Sequence, residues 1–427
     1  MQSGIFKKNV MKIKTQSILL SLLFCMSTTY AQESDMSYRR SSWYNILISH
    51  PEQEFSSDIL YVYNNKDMSD KFNDHSLSIG AVAATGTKFI DKKPIDDFLN
   101  RNDVAKRLVA KWFDRDKYTG VCDMDLISYR GLEAAKASDI EVASLTKRHE
   151  ALLMDAGTEL IGSTFVLVHD VIYIDKAEEN QNIAAGIHVG GAILGGVLSI
   201  IGAATDNKDL VNTGSLLYLS SETASLVVSQ LEGFRVKVRT HLYQVEWDSL
   251  APYDFYEKYY TETIDPAKTA AWEDAQYKLK YIGTQEVKSG QTVMKGVHNP
   301  EDVIKKVVYR ALDECVLNLQ KQYEAFRLKE PIYSMGEKKT VHVKIGLKEG
   351  VSKNSKYEVL ETVIDGRGRT RYRRVGTIVP DPNRIWDNRF MAIEEGAENS
   401  ELGYTTFKIK SGANSIYPGM LIREIKF

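Results

Sequence analysis

Residues 165–174 read FVLVHDVIYI, eight apolar side chains interrupted only by His169 and Asp170. A β-branched and aromatic run that is apolar on both faces of a period-two element marks a strand at the centre of a sheet. His169 and Asp170 are consecutive, so they point to opposite faces and cannot form a dyad with each other. A second long strand is expected at 234–247. There Phe234, Val236 and Val238 share one face, and Arg235, Lys237 and Arg239 share the other. The alternation slips at Leu242-Tyr243, the mark of a bulge.

Between these strands lies a stretch of different texture, 176–232. Residues 183–205 read IAAGIHVGGAILGGVLSIIGAAT, without Asp, Glu, Lys or Arg. Twenty-three such residues are long enough to cross a bilayer as a helix. Gly186 and Gly190, and Gly191 and Gly195, stand four apart. That spacing lets helix backbones approach closely. A polar turn at 206–209 and a second, less apolar run at 210–231 complete an expected α-helical hairpin. It is read as a membrane or oligomer contact through Gly186, Gly190, Gly191 and Gly195, inserted at the tip of two paired strands. Glu222 within the second run opposes full spanning, and packing on the domain's own sheet stays open.

Outward from this centre, residues 59–63 and 77–82 read as short strands and 32–57 as an irregular lead-in. Asn102-Asp103 opens a helix through Val104, Leu108 and Trp112. Residues 124–129 read as a strand, and Ser138-Asp139-Ile140-Glu141 caps a further helix ending near Asp155. Asn299-Pro300-Glu301-Asp302 begins a long helix with a cap, a first-turn proline and two acids. Its apolar stripe is Ile304, Val308, Leu312, Cys315, Leu319 and Phe326. After residue 330 short strands recur at 341–345, 357–362, 371–379, 405–409 and 420–425, the pattern of a small all-β barrel. The expected fold class is therefore α+β: a mixed sheet with flanking helices over 32–330, the inserted hairpin at 176–232, and a C-terminal small all-β barrel over 331–427.

The first 31 residues read as a signal peptide. Lys7, Lys8, Lys12 and Lys14 precede an apolar run from Ile18 to Met26, and Thr29-Tyr30-Ala31 supplies the small residues of a cleavage site. The whole chain of 427 residues carries 55 Lys+Arg against 57 Asp+Glu, or −2. Without residues 1–31 the balance is 51 against 57, or −6. Neither value marks a nucleic-acid binder. Length implies more than one domain, and 43% hydrophobic with 26% charged residues excludes collagenous, low-complexity and disordered chains. Beyond the leader, Cys122 and Cys315 remain. Their pairing is open, with Cys315 on the apolar stripe of the long helix.

Chemistry-bearing motifs are few. The sequence has no nucleophile elbow, phosphate loop, HExxH or dinucleotide fingerprint. It calls for no cofactor, no metal and no catalytic residue. Arg369, Arg371 and Arg373 alternate onto one face of an expected hairpin and form an anion-binding candidate. Tyr253, Phe255, Tyr256, Tyr259 and Tyr260 are either packing or a surface on which sugars stack.

The order of helix 102–113, strand 124–129, helix 138–155, strand 165–174, strand 234–247 and helix 300–326 resembles periplasmic α+β domains of curli-secretion-type and flagellar-assembly-T-type proteins. The step Asp155-Ala156-Gly157-Thr158-Glu159-Leu160-Ile161-Gly162 into residues 165–168 is similar to their helix-to-central-strand step. VHVKIGLKEGVSKNSKYEVL at 341–360 is similar to the start of the small barrel in the flagellar proteins. The resemblance implies an exported protein of the periplasm or outer-membrane periphery. Curli-type channels insert β-hairpins between strands of such a domain, whereas the expected insertion here is helical. The reading is thus a non-enzymatic envelope-associated assembly or anchoring component, partnered by itself or another envelope protein, with membrane contact through 183–231. Its alternative is a soluble module binding an anionic glycan.

Overall fold

The computed structural model describes residues 41–66, 72–74, 76–123, 160–174, 231–248, 250–364 and 370–425. The leader, the strand expected at 124–129, the helix expected at 138–155, Arg369 and the stretch 176–230 with Gly186, Gly190, Gly191 and Gly195 lie outside the described residues.

The strand that decided the sequence reading is β4 (Thr164–Ile174), and only Ile172 in it is not fully buried. It lies inside a six-stranded mixed sheet. β1 (Ser42–Ser49) runs parallel to it, while β5 (Leu231–Val245) is antiparallel to it and to the outer β6 (Leu279–Met294). Two short strands, β2 (Asn73–Asp74) and β3 (Ala81–Ala83), run parallel to β1 at its far edge. The register of β5 on β6 shifts between Leu242 and Tyr243, where the alternation of the sequence slips. Phe234, Val236 and Val238 are buried, as that alternation requires.

Helices cover both faces. On one, α2 (Lys92–Arg101), α3 (Val104–Trp112), α4 (Ala251–Lys258) and α5 (Pro266–Glu273) bury Leu99, Leu108, Trp112, Phe255 and Trp272 against Ile46, Val166, Val168 and Tyr243. On the other, α1 (Ser56–Asn65) and α6 (Pro300–Gln322) bury Ile59, Val62, Ile304, Val308 and Leu312 against Leu47, Val171, Phe234 and Val236. Asn299 caps α6 by accepting the Glu301 amide at 3.2 Å, with Pro300 in the first turn. The helix stops at Gln322. Phe326, expected on its stripe, sits in a following 3-10 turn and packs on Phe165 at 4.8 Å.

Two local expectations are corrected. Residues 59–63 are helical, within α1, because Ile59 and Val62, three apart, meet the same core cluster. The β-branched and aromatic residues there yield to tertiary packing. The lead-in at 32–57 contains β1, whose SWYNILIS is buried on both faces. Its apolar residues are diluted when composition is averaged over the polar flanks. The strand expected at 77–82 survives as the three residues of β3.

The C-terminal part closes a barrel in the order β10-β11-β8-β7-β12-β9, all antiparallel. The strands are β7 (Glu330–Gly336), β8 (Thr340–Val343), β9 (Tyr357–Ile364), β10 (Thr370–Pro380), β11 (Thr405–Ser411) and β12 (Leu421–Glu424). Val341, Val343, Val359, Ile378 and Phe407 fill it. The barrel lies on α6, where Phe390 stacks on Tyr309 at 3.8 Å and Arg310 donates to Glu395 at 2.7 Å.

Candidate functional site

The stretch 175–230 connects neighbours. Ile174 stands opposite Arg235 in the antiparallel pair of β4 and β5, so the chain leaves and re-enters the sheet at one end. The root there is braced. β1 has ended, and Gln53, buried, takes its place beside β4. Its Nε2 donates to the Val171 carbonyl at 3.0 Å, and the Tyr173 amide donates to its Oε1 at 2.9 Å. A side-chain amide thus continues the ladder with backbone-like geometry. The Phe55 ring meets Tyr173 at 5.0 Å and Phe234 at 5.9 Å.

Midway along β4, the two polar residues of the central run find separate partners, as their opposite faces demand. The Asp170 carboxylate accepts from His50 Nε2 at 2.8 Å and from the Ile90 amide at 2.8 Å, while His50 Nδ1 donates to the Gly86 carbonyl at 2.8 Å. Both ring nitrogens of His50 face acceptors, which only an imidazolium satisfies fully. Burial pulls its pKa down, but the Asp170 and Gly86 hydrogen bonds and the Asp170 charge outweigh that and leave it raised. His169 is its opposite. Nε2 faces Asn45 Oδ1 at 3.0 Å and Nδ1 faces the Thr240 hydroxyl at 2.9 Å, which suits one neutral tautomer. Burial, with Lys66 adding to it, lowers its pKa to about 3. A carboxylate in a strand buried on both faces must find a donor. Asp170 was therefore the sequence signal for this network, but His50 is 120 residues away.

The candidate anion site is placed in part. Arg371 and Arg373 stand exposed on one face of β10, opposite Val363 and Glu361 of β9. Arg373 is bound by Glu361, its cross-strand neighbour, through Nε at 3.0 Å. The tyrosine cluster is chiefly packing: Phe255 is fully buried, stacks on Phe113 at 3.9 Å and meets Trp272 edge-on at 6.0 Å. Tyr259, half-buried, lines a groove of about 630 Å³ with Trp247 and Tyr277 at the end of β5. Sequence reading missed this groove, because Trp247 and Tyr277 come together only when β5 pairs with β6.

No family model matches the chain, and no curated protein matches it. No helix among the described residues is long and apolar enough to cross a membrane.

Proposed function

We propose that this is an exported, non-enzymatic component of the periplasm or outer-membrane periphery that acts in assembly or anchoring. In this reading the glycine-rich stretch up to residue 230 is the element that enters a membrane or joins a second copy, the last two residues of the expected 176–232 being the start of β5. The observation that carries it is the pairing of Ile174 with Arg235. An apolar stretch that departs and returns at one end of a rigid sheet is an appendage of that end. It must bury its surface somewhere.

The register also makes the test clean, because a short Gly-Ser linker replacing 177–230 joins strands already in contact. Cell fractionation and size-exclusion chromatography compare the two chains. Membrane association or oligomerisation of the full chain, lost in the shortened one, supports the proposal. Two soluble, monomeric and equally stable proteins sink it, and so does a shortened chain that no longer folds, since the stretch then packs on its own domain.

The alternative reading, a surface module for an anionic glycan, keeps one supporting observation: Arg371 and Arg373 are exposed side by side. Replacing both by serine should abolish retention on an anionic polysaccharide, and unchanged retention removes this reading.

A further inference from the structure

The end of β5 remote from the appendage carries a second feature. Fifteen residues of strand separate the two, roughly 45–50 Å at about 3.3 Å per residue. Beyond Val245 the Glu246 amide still pairs with the Lys278 carbonyl at 2.9 Å. The chain then turns into α4, where Asp248 Oδ1 accepts the amides of Leu250 and Ala251 at 2.8 and 3.0 Å. The groove opens between this turn and the start of β6.

Its floor is aromatic. Trp247 and Tyr277 stack with centroids 6.2 Å apart and planes 20° from parallel, and Tyr259 meets Tyr277 edge-on at 6.4 Å. All three rings are half-buried, held from behind by Phe113, Phe255 and Trp272. Trp247 Nε1 is buried and finds no hydrogen-bond partner among the described residues, which costs about 1–3 kcal/mol. Burial, with Tyr259 and Asp254 beside it, raises the pKa of Tyr277 and keeps its hydroxyl a donor. The exposed rim mixes signs, with Glu246, Asp248 and Asp254 against Lys278 and Lys280, and Gln276 beside them. Asp254 is further offset by Lys258 at 3.2 Å.

The geometry points to a binding site for a neutral oligosaccharide. Flat rings offer their faces to the C–H face of a sugar. The acceptors and donors of the rim suit its hydroxyls, and a rim of mixed sign, with Lys258 offsetting Asp254, favours neither a polyanion nor a polycation strongly. The volume lies within the range of ligand sites, about 300–1,000 Å³.

The full chain is titrated with neutral oligosaccharides of glucose, galactose, mannose and N-acetylglucosamine, followed by tryptophan fluorescence and calorimetry. At least one series should bind saturably. Trp247→Ala should weaken it by about tenfold or more, equivalent to about 1.4 kcal/mol. Trp247→Phe, which keeps an aromatic face but loses the N–H and the second ring, should weaken it severalfold, and Glu246→Gln on the exposed rim should do so without moving the melting temperature. The chain with 177–230 replaced should bind equally, so this inference and the anchoring proposal fail separately. Binding confined to charged polysaccharides, binding untouched by all three substitutions, or no binding by the folded protein at millimolar sugar overturns the inference.

Discussion

His50 Nε2 lies 2.8 Å from Asp170 Oδ1, and neither side chain has any exposure to solvent. The pair ties the loop after β1 to the middle of the central strand, and the Ile90 amide on the second carboxylate oxygen brings the approach to α2 into the same network. Asp170→Asn leaves a buried imidazolium without its counter-charge. We expect a loss of about 3–5 kcal/mol, read from denaturation midpoints, as for one-sided removal of a buried pair.

The same pair sets a pH dependence. The folded-state pKa of His50 is raised above its ordinary 6.5, so the folded protein holds this proton more tightly than the unfolded chain does. Its contribution is complete below about pH 6.5 and is lost as pH rises through the folded value. The stability gap between wild type and His50→Gln should therefore narrow from mildly acid to alkaline pH. A gap that widens would contradict the assigned charge.

His169 works in the reverse direction. Its folded pKa is lowered from 6.5 to about 3, so below pH 6.5 the unfolded chain takes up a proton that the folded protein refuses. Stability falls as pH drops through that window, with a slope of at most about 1.36 kcal/mol per pH unit from this one group. His169→Gln can still donate to Asn45 and accept from Thr240. It should lose less stability than wild type between neutral pH and pH 4, measured by urea denaturation at both.

Gln53 stands in for a missing strand beside the last residues of β4. Gln53→Ala leaves the Val171 carbonyl and the Tyr173 amide unpaired in a buried place. The expected cost is about 1–3 kcal/mol, with faster hydrogen exchange at the Tyr173 amide. Unchanged protection of that amide would show that the brace is dispensable.

Cys122 and Cys315 are free and buried on opposite faces of the sheet, one under α3 to α5 and the other under α6. A disulfide between them would have to pass through the sheet. Burial raises the Cys122 thiol and pushes Cys315 up to about 12. Neither should react with a thiol reagent in the native protein, and both should react after denaturation. Native labelling at either position would overturn this placement.

Legibility varied with how local the cause was. β4, the bulge at Leu242-Tyr243, the Asn299 cap and five of the six barrel strands follow from alternation, capping and turn residues within a few positions, so they could be read directly. β6 could not. Its sequence LKYIGTQEVKSGQTVM is mostly polar, and it is a strand because it lies along the whole of β5. β1 was hidden by its polar flanks, and α1 by β-formers that a hydrophobic cluster holds in a helix. Of the candidate site residues, Arg371 and Arg373 were placed correctly on one exposed face, but the opposing Glu361 was not foreseen.

By itself the sequence determined that a central strand buried on both faces exists, that a charge-free glycine-rich stretch follows it, and that a small barrel ends the chain. These are consequences of side-chain period and composition, which act over a few residues. Only the tertiary structure decided that β4 and β5 are neighbours, so that the chain leaves and re-enters the sheet at one end. It also decided that His50 neutralises Asp170 and that Trp247 meets Tyr277 in a groove at the other end. Those relationships join residues tens to more than a hundred positions apart. Only packing specifies which distant side chain fills a buried vacancy or answers a buried charge.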